Sequence, residues 1–317
     1  MNIAILGATS NIAKDLIFSF VKKNTKFNIS LFSRDNSKVK AWVEDKKISN
    51  NISLIGLYSD FSNKDKYDVI LNFVGIGDPA KAIEMGSSIL DITNTFDTMA
   101  IEYLKKNPST KYLFLSSGAA YGSENFSVNV NDQSEARFKI NNLKPQDWYS
   151  IAKLHAECRH RSLSDKSIID IRVFNYINSS LDLSSRFLIT DALRSIVNNH
   201  DFKTSSKNII RDYIGPDDFY NLVISLVMHG ELNDSIDCFT KLPIDKFSML
   251  DMLKKEFGLN YLIEDSEISL NATGAKDNYF SKNFRAEKYG YSPLYSSSET
   301  IHKESALILK KFLVNKK

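Results

Sequence analysis

The 317 residues are 43% hydrophobic and 25% charged with a formal net charge of +3, figures ordinary for a soluble globular chain of one large domain plus a dependent lobe. No apolar run approaches the length that crosses a bilayer, and the lysines are scattered rather than aligned, so neither a membrane nor a nucleic acid is an expected partner. Cys158 and Cys238 stand far apart without CxxC or Cys/His ligand spacing, which argues against a disulfide framework or a zinc site and for a reducing cytoplasm.

In chain order, MNIAILGATS runs from strand into glycine turn without a signal-peptide pattern, so structure is expected from residue 1. Apolar runs at 2–6, 27–33, 52–57, 68–74, 111–116 and 168–174 lack polar alternation, as strands buried on both faces do. Helical periodicity over 11–22 and 83–106 lies between them, with Gly86 interrupting the start of the second helix. The pattern predicts an α/β fold: a doubly wound parallel sheet, Rossmann-like, with right-handed crossovers. Beyond residue 174 the order loosens into helices near 187–197, 217–228 and 247–257 and a strand near 209. The expected division is a dinucleotide domain of 1–175, to which about 208–235 returns. A smaller α/β substrate lobe takes about 176–207 and 236–317.

The first turn, Gly7-Ala8-Thr9-Ser10-Asn11-Ile12-Ala13, is where a parallel sheet offers a helix N-terminus to a pyrophosphate. Gly7 permits the sharp turn, and Thr9, Ser10, Asn11 and Ile12 are the candidate phosphate contacts. Set against GxxGxxG, Ser10 and Ala13 replace two glycines, so the segment alone equally suits an ordinary strand-to-helix turn. The second strand ends in Ser33-Arg34-Asp35. A hydroxyl and a guanidinium there suit a ribose 2'-phosphate and hence NADP(H), while Asp35 keeps NAD(H) open.

The strand at 111–116 opens into Ser116-Ser117-Gly118-Ala119-Ala120-Tyr121-Gly122, and Tyr149-Ser150-Ile151-Ala152-Lys153 begins a helix. Residues four apart share a helix face, so Tyr149 and Lys153 can enter one site. An adjacent ammonium stabilises a phenolate and is expected to bring the phenol toward the working range. Ser117 can hydrogen-bond a substrate oxygen. Standing alone, YxxxK reads as a surface i,i+4 pair rather than as a site.

Together, GATSNIA, LSSGAAYG and YSIAK resemble the extended short-chain dehydrogenase/reductase family, also called the nucleotide-sugar epimerase/dehydratase family. Ser59-Asp60-Phe61, Asn72-Phe73-Val74-Gly75, Asn94-Thr95-Phe96-Asp97-Thr98, Arg172-Val173-Phe174-Asn175, Arg211-Asp212-Tyr213-Ile214 and Tyr289-Gly290-Tyr291-Ser292-Pro293 follow in the family's order. The resemblance implies Tyr149 as catalytic acid/base, and Lys153 as the group that lowers its pKa and holds the nicotinamide ribose. Ser117 is implied as the contact to the reacting oxygen. Asp60 and Phe61 match the adenine position and Asn94 the family's helix asparagine at the cofactor. Asn175 and Arg211 match the substrate side, with Arg211 on the diphosphate of a nucleotide sugar. For Arg211 the competing role is an ion pair with Asp212 or Asp217.

The resemblance also implies a homodimer through the helices at 83–106 and 149–163. The family's 4,6-dehydratases carry an Asp-Glu pair where this chain has Gly118 and Ala119, and its GDP-fucose synthases place a cysteine beside the catalytic serine; both reactions are therefore disfavoured. Reduction of a nucleotide-linked ketosugar, 4-keto first, is expected from Ser33 and Arg34. The alternatives are an epimerase that keeps NAD bound and a non-catalytic NADP(H)-binding sensor or scaffold. His155, Glu157, Cys158 and His160 do not form a metal site at their helical spacing; a solvated or interface helix is expected there.

Overall fold

The computed structural model describes residues 1–23, 26–62, 64–76, 82, 84–122, 130–264 and 277–315. Its first half alternates strands and helices: β1 (Asn2–Leu6), α1 (Asn11–Lys22), β2 (Asn28–Ser33), α2 (Asn36–Asp45), β3 (Ile52–Leu57), β4 (Val69–Asn72), α3 (Ser88–Lys106), β5 (Lys111–Ser117), α4 (Asp147–Ser162) and β6 (Ile168–Val173). There follow β7 (Asn175–Tyr176), α5 (Leu188–Asn198), β8 (Phe202–Thr204), β9 (Ile210–Arg211), β10 (Tyr213–Ile214), α6 (Pro216–Met228) and β11 (Asp234–Asp237). The chain ends through β12 (Ile244–Asp245), α7 (Lys246–Phe257), β13 (Tyr261–Ile263), β14 (Asn278–Tyr279) and α8 (Ser297–Asn315).

Seven of these strands form one parallel sheet in the order β11-β6-β5-β4-β1-β2-β3. The order reverses at β1, whose neighbours are β2 and β4, so a crevice opens at the carboxyl ends of these strands, the place where such sheets bind ligands. Apolar side chains alternate between the two faces. Ile3, Ile5, Leu71 and Leu113 pack with α1 and α6 on one side, and Ala4, Leu6, Ile70 and Phe114 with α3 and α4 on the other. A second core gathers Ile177, Leu193, Phe202, Leu250, Leu253, Ile301 and Ile308 from α5, α7, α8 and short strands. Among the described residues no helix is long and apolar enough to cross a membrane.

The long helix expected from 83 runs from Ser88, because Gly86 takes a left-handed φ of +54°, a conformation that interrupts an α-helix; residue 83 lies outside the described residues. β11 is a strand the apolar-run pattern does not reveal. A 3-10 turn at Arg285–Tyr289 packs back on β11 and α6 and returns Ala286 and Tyr291 to the first core.

Candidate active site

The turn after β1 requires its glycine. Gly7 has φ +81°, and a Cβ there would stand 2.7 Å from the Phe73 carbonyl carbon and 2.8 Å from Val74 N. The Gly7 and Ala8 N–H groups donate to Phe32 O at 3.0 and 3.1 Å, tying the turn to β2. Ser10 is the N-cap of α1 but makes no side-chain cap bond, and the first turn carries no acid. The leading N–H groups of α1 therefore have no side chain competing with an anion. Thr9 and Asn11 are exposed there, and Ser10 and Ile12 half-buried.

At the end of β2, Ser33 is fully buried and its hydroxyl has no hydrogen-bond partner, while Arg34 is exposed. Asp35 turns the other way. It is the N-cap of α2, accepting from Ser37 N at 3.1 Å and Lys38 N at 3.4 Å. Asp60 is exposed and its carboxylate accepts Leu57 N–H at 2.7 Å, closing its own turn. Phe61 lies in a ring cluster, 5.4 Å from Phe32 and 5.8 Å from Tyr67. Between the glycine turn and Arg34 stands Tyr58, which sequence reasoning passes over. Its ring is 4.3 Å from Phe96, and burial raises its phenol against the opposing pull of Arg34 and the Gly7 backbone. Asn94 does not join this group. It is exposed on α3 and accepts from Arg159 of α4 at 3.3 Å.

Ser117, Tyr149 and Lys153 do come together. Ser117 ends β5 and caps the 3-10 turn Gly118–Tyr121, accepting Ala119 N–H at 3.2 Å. Tyr149 and Lys153 project from the same face of α4, with Lys153 Nζ 5.9 Å from the Tyr149 ring centre. Lys153 is buried, lies 4.4 Å over the Phe114 ring, and donates to Leu115 O at 2.7 Å. Burial lowers its pKa to about 8, although Glu157, Asp170 and Asp97 pull the other way. A Cβ on Gly75 would stand 3.5 Å from Lys153 Nζ, so the backbone after β4 passes close by. The phenol of Tyr149 is not brought down by Lys153 as the i,i+4 spacing suggests: burial raises it, and the Ser117 hydrogen bond offsets only part of that. The ammonium is turned toward Leu115 O and is itself poorly solvated, which limits its hold on the phenolate.

On the substrate side, Arg211 is buried and donates to Ile210 O at 2.8 Å. The two aspartates weighed as its partners are committed elsewhere. Asp212 accepts from Thr240 and Ser297, and Asp217 pairs with Lys23 and Lys303. Asn175 Nδ2 donates to Asp212 O at 3.0 Å and Tyr279 O at 3.4 Å, stitching β7 to the link between β9 and β10 and to β14. That makes it a framework residue as well as a candidate contact. Tyr279 is the further residue of the site that sequence reasoning misses, its hydroxyl 3.3 Å from Ser117 Oγ. The position beside Ser117 where dehydratases carry an acid is filled by an aromatic ring. A Cβ on Gly118 would come 2.4 Å from Phe174 Cε1.

Of the solvated or interface helix expected at the rear of α4, the solvated alternative does not hold for Glu157 and His160, which are buried. Glu157 accepts from Ser116 at 2.5 Å and from Arg172, which also reaches Asp237. His160 is held by Asp170 and Asp97, each at 2.6 Å. Burial would lower its pKa, but the two carboxylates prevail and push it to about 9. His155 and Cys158 face outward. Among the described residues no group of three or more His, Cys, Asp or Glu could hold a metal ion.

Known structures share this fold. UDP-glucuronic acid 4-epimerase from Bacillus cereus in complex with NAD superposes with a TM-score of 0.74 at 15% identity, over 98% of this chain and 100% of that one. UDP-N-acetylglucosamine 4-epimerase from Methanobrevibacter ruminantium M1 gives 0.78 at 14% identity, over 98% of both chains. dTDP-glucose 4,6-dehydratase from Bacillus anthracis gives 0.74 at 13%, over 98% and 97%. Likeness at these identities shows the fold. A comparison with curated proteins gives no match. Residues 3–237 match the NAD dependent epimerase/dehydratase family. With a doubly wound sheet, a glycine turn at its switch point and a Ser-Tyr-Lys site beside it, the chain belongs to that family of short-chain dehydrogenase/reductase-type enzymes.

Proposed function

We propose that this chain is an NADP(H)-dependent reductase of a nucleotide-linked ketosugar, a 4-keto sugar first. The observation that carries the reading is the division of labour after β2. Asp35 spends its carboxylate capping α2, whereas Arg34 is exposed beside a buried Ser33 hydroxyl without a partner. That set fits a 2'-phosphate better than a free 2'-OH. Gly7, Thr9, Ser10, Asn11 and Ile12 would hold the pyrophosphate, Ser33 and Arg34 the 2'-phosphate, Asp60 and Phe61 the adenine edge, and Tyr149 and Lys153 the nicotinamide ribose.

When bound, NADP(H) supplies hydride chemistry. The chain's own residues handle the proton and the pose. Tyr149 carries the exchangeable proton on its phenolic oxygen and gives it to the substrate carbonyl oxygen. Ser117 orients that oxygen, and the Lys153 ammonium compensates the phenolate left behind. Arg211 and Asn175, on β9 and β7, would face the nucleotide sugar, and the lobe built on the second core selects it in this reading. With Phe174 against Gly118 there is no room for the additional acid that elimination of water needs. In this proposal the enzyme works in the cytoplasm as a homodimer through α3 and α4.

A second reading, an epimerase retaining NAD, has the support of the 4-epimerases of like fold, which carry NAD in their structures. A non-catalytic scaffold has less, since Ser117, Tyr149 and Lys153 are brought together. The test is to incubate purified protein with NADPH and a panel of nucleotide ketosugars. Substrate-dependent NADPH oxidation, lost in Tyr149→Phe with cofactor binding intact, is the expected result. Interconversion of two nucleotide sugars by protein purified with NAD, without NADPH consumption, would overturn it in favour of the epimerase.

A further inference from the structure

The segment Asn278-Tyr279-Phe280-Ser281 comes from the far end of the chain, yet β14 pairs with β9 so that Tyr279 stands opposite Arg211. Tyr279 is buried, its ring centre is 5.1 Å from that of Phe174, and its carbonyl accepts from Asn175. These contacts leave its hydroxyl little choice of position. It lies 3.3 Å from Ser117 Oγ, with the Ala119 N–H and Tyr149 also close to it.

Either hydroxyl of this pair can give the proton, and the count of donors around Ser117 narrows which. A serine hydroxyl has one proton and two lone pairs. One lone pair of Ser117 faces Ala119 N–H at 3.2 Å, and its hydroxyl is shared between the phenols of Tyr149 and Tyr279. With the Ser117 proton turned to Tyr149, its remaining lone pair is open to a donor, and Tyr279 is the phenol placed to give it. Burial holds Tyr279 well above the ordinary tyrosine range, so it stays protonated wherever Tyr149 works.

We infer that Tyr279 is a positioning residue: it donates to Ser117 and so fixes the Ser117 proton toward Tyr149 and the reacting oxygen. The inference rests on reading Ser117, Tyr149 and Lys153 as the reacting site. It adds that the site is complete only when β14, a strand outside the main sheet, is seated beside it.

The test needs no substrate, so an inactive enzyme would count against the proposed reaction and not against this contact. Protein labelled with 13C at tyrosine Cζ is titrated by NMR, the Tyr149 signal being the one lost in Tyr149→Phe. The groups around Tyr149 are Lys153, Ser117 and Tyr279, with Arg211 beyond; only Ser117 and Tyr279 are varied. Tyr279→Phe keeps the ring against Phe174 and should raise the Tyr149 midpoint by about half a pH unit or more. Ser117→Ala should raise it at least as far, and the double variant should match Ser117→Ala alone, the signature of one residue acting through another. A Tyr149 midpoint within about 0.2 unit of wild type in Tyr279→Phe, or shifts that simply add, would overturn the inference.

Discussion

The ring of Phe174 stands where any side chain at position 118 would begin, with Phe174 Cε1 2.4 Å from the Cβ that Gly118 lacks. Phe174 cannot swing freely, because it packs with Tyr121, Val130 and Tyr279 in a buried cluster. Gly118→Ala should therefore cost about 1–3 kcal/mol by overpacking and push Phe174 toward Tyr279. Thermal melting reads the first effect. The second appears as a loss of turnover larger than the same destabilisation causes elsewhere in the sheet. Gly118→Asp should gain no dehydratase product, and a 4-keto-6-deoxy product from it would refute the steric account.

Arg34 supplies the second prediction. If its guanidinium meets a 2'-phosphate, Arg34→Ala should weaken NADP+ binding about tenfold or more, the scale of a charge-assisted hydrogen bond, and leave NAD+ nearly untouched. Calorimetric titration of both nucleotides against both proteins measures it. Equal losses for the two, or equal affinities in the wild type, would remove the 2'-phosphate from the picture.

What could be read from the sequence, and what could not, divides by distance along the chain. The β1 turn and the Tyr149–Lys153 face are local patterns, too weak singly, and it was their order along the chain with LSSGAAYG that marked them as a site. β11 escaped because Asp234-Ser235-Ile236-Asp237 has the polarity of a loop. Asp237 is fully buried only because Tyr121, Arg172 and Ser281 converge on it. The rear of α4 misled for the same reason: Glu157 and His160 look solvated until Arg172, Asp97 and Asp170 arrive from other elements. Tyr279 had no local signal at all, since its partner Ser117 lies on the central sheet, 162 residues away.

His160 makes stability depend on pH. Its folded pKa, about 9, stands above the ordinary 6.5, so the native state binds the proton more tightly than the unfolded chain. The stabilisation is fully present below about pH 6.5 and is lost as pH rises through about 9. A shift of that size is worth on the order of 3 kcal/mol. His160→Asn should be less stable than wild type by about that amount at pH 6 and by little at pH 10. Melting curves of both proteins across that range decide it; a constant gap would mean that His160 contributes packing only.

Lys153 has the opposite sign. Its folded pKa, about 8, lies below the ordinary 10.5, so the ammonium is a cost to the folded state. That cost is complete below about pH 8 and disappears as pH climbs through about 10.5. Lys153→Met removes it, to the order of 3 kcal/mol, and gives up the 2.7 Å bond to Leu115 O, worth about 1 kcal/mol. The variant should thus melt higher than wild type at pH 7, by about 2 kcal/mol of stability, and lose that advantage near pH 10 while being inactive throughout. A wild type that is already the more stable protein at pH 7 would mean that the buried ammonium is better compensated by Glu157 and Asp170 than its low pKa implies. If the advantage is found, it measures directly how much stability this fold gives up to keep a cation beside Tyr149.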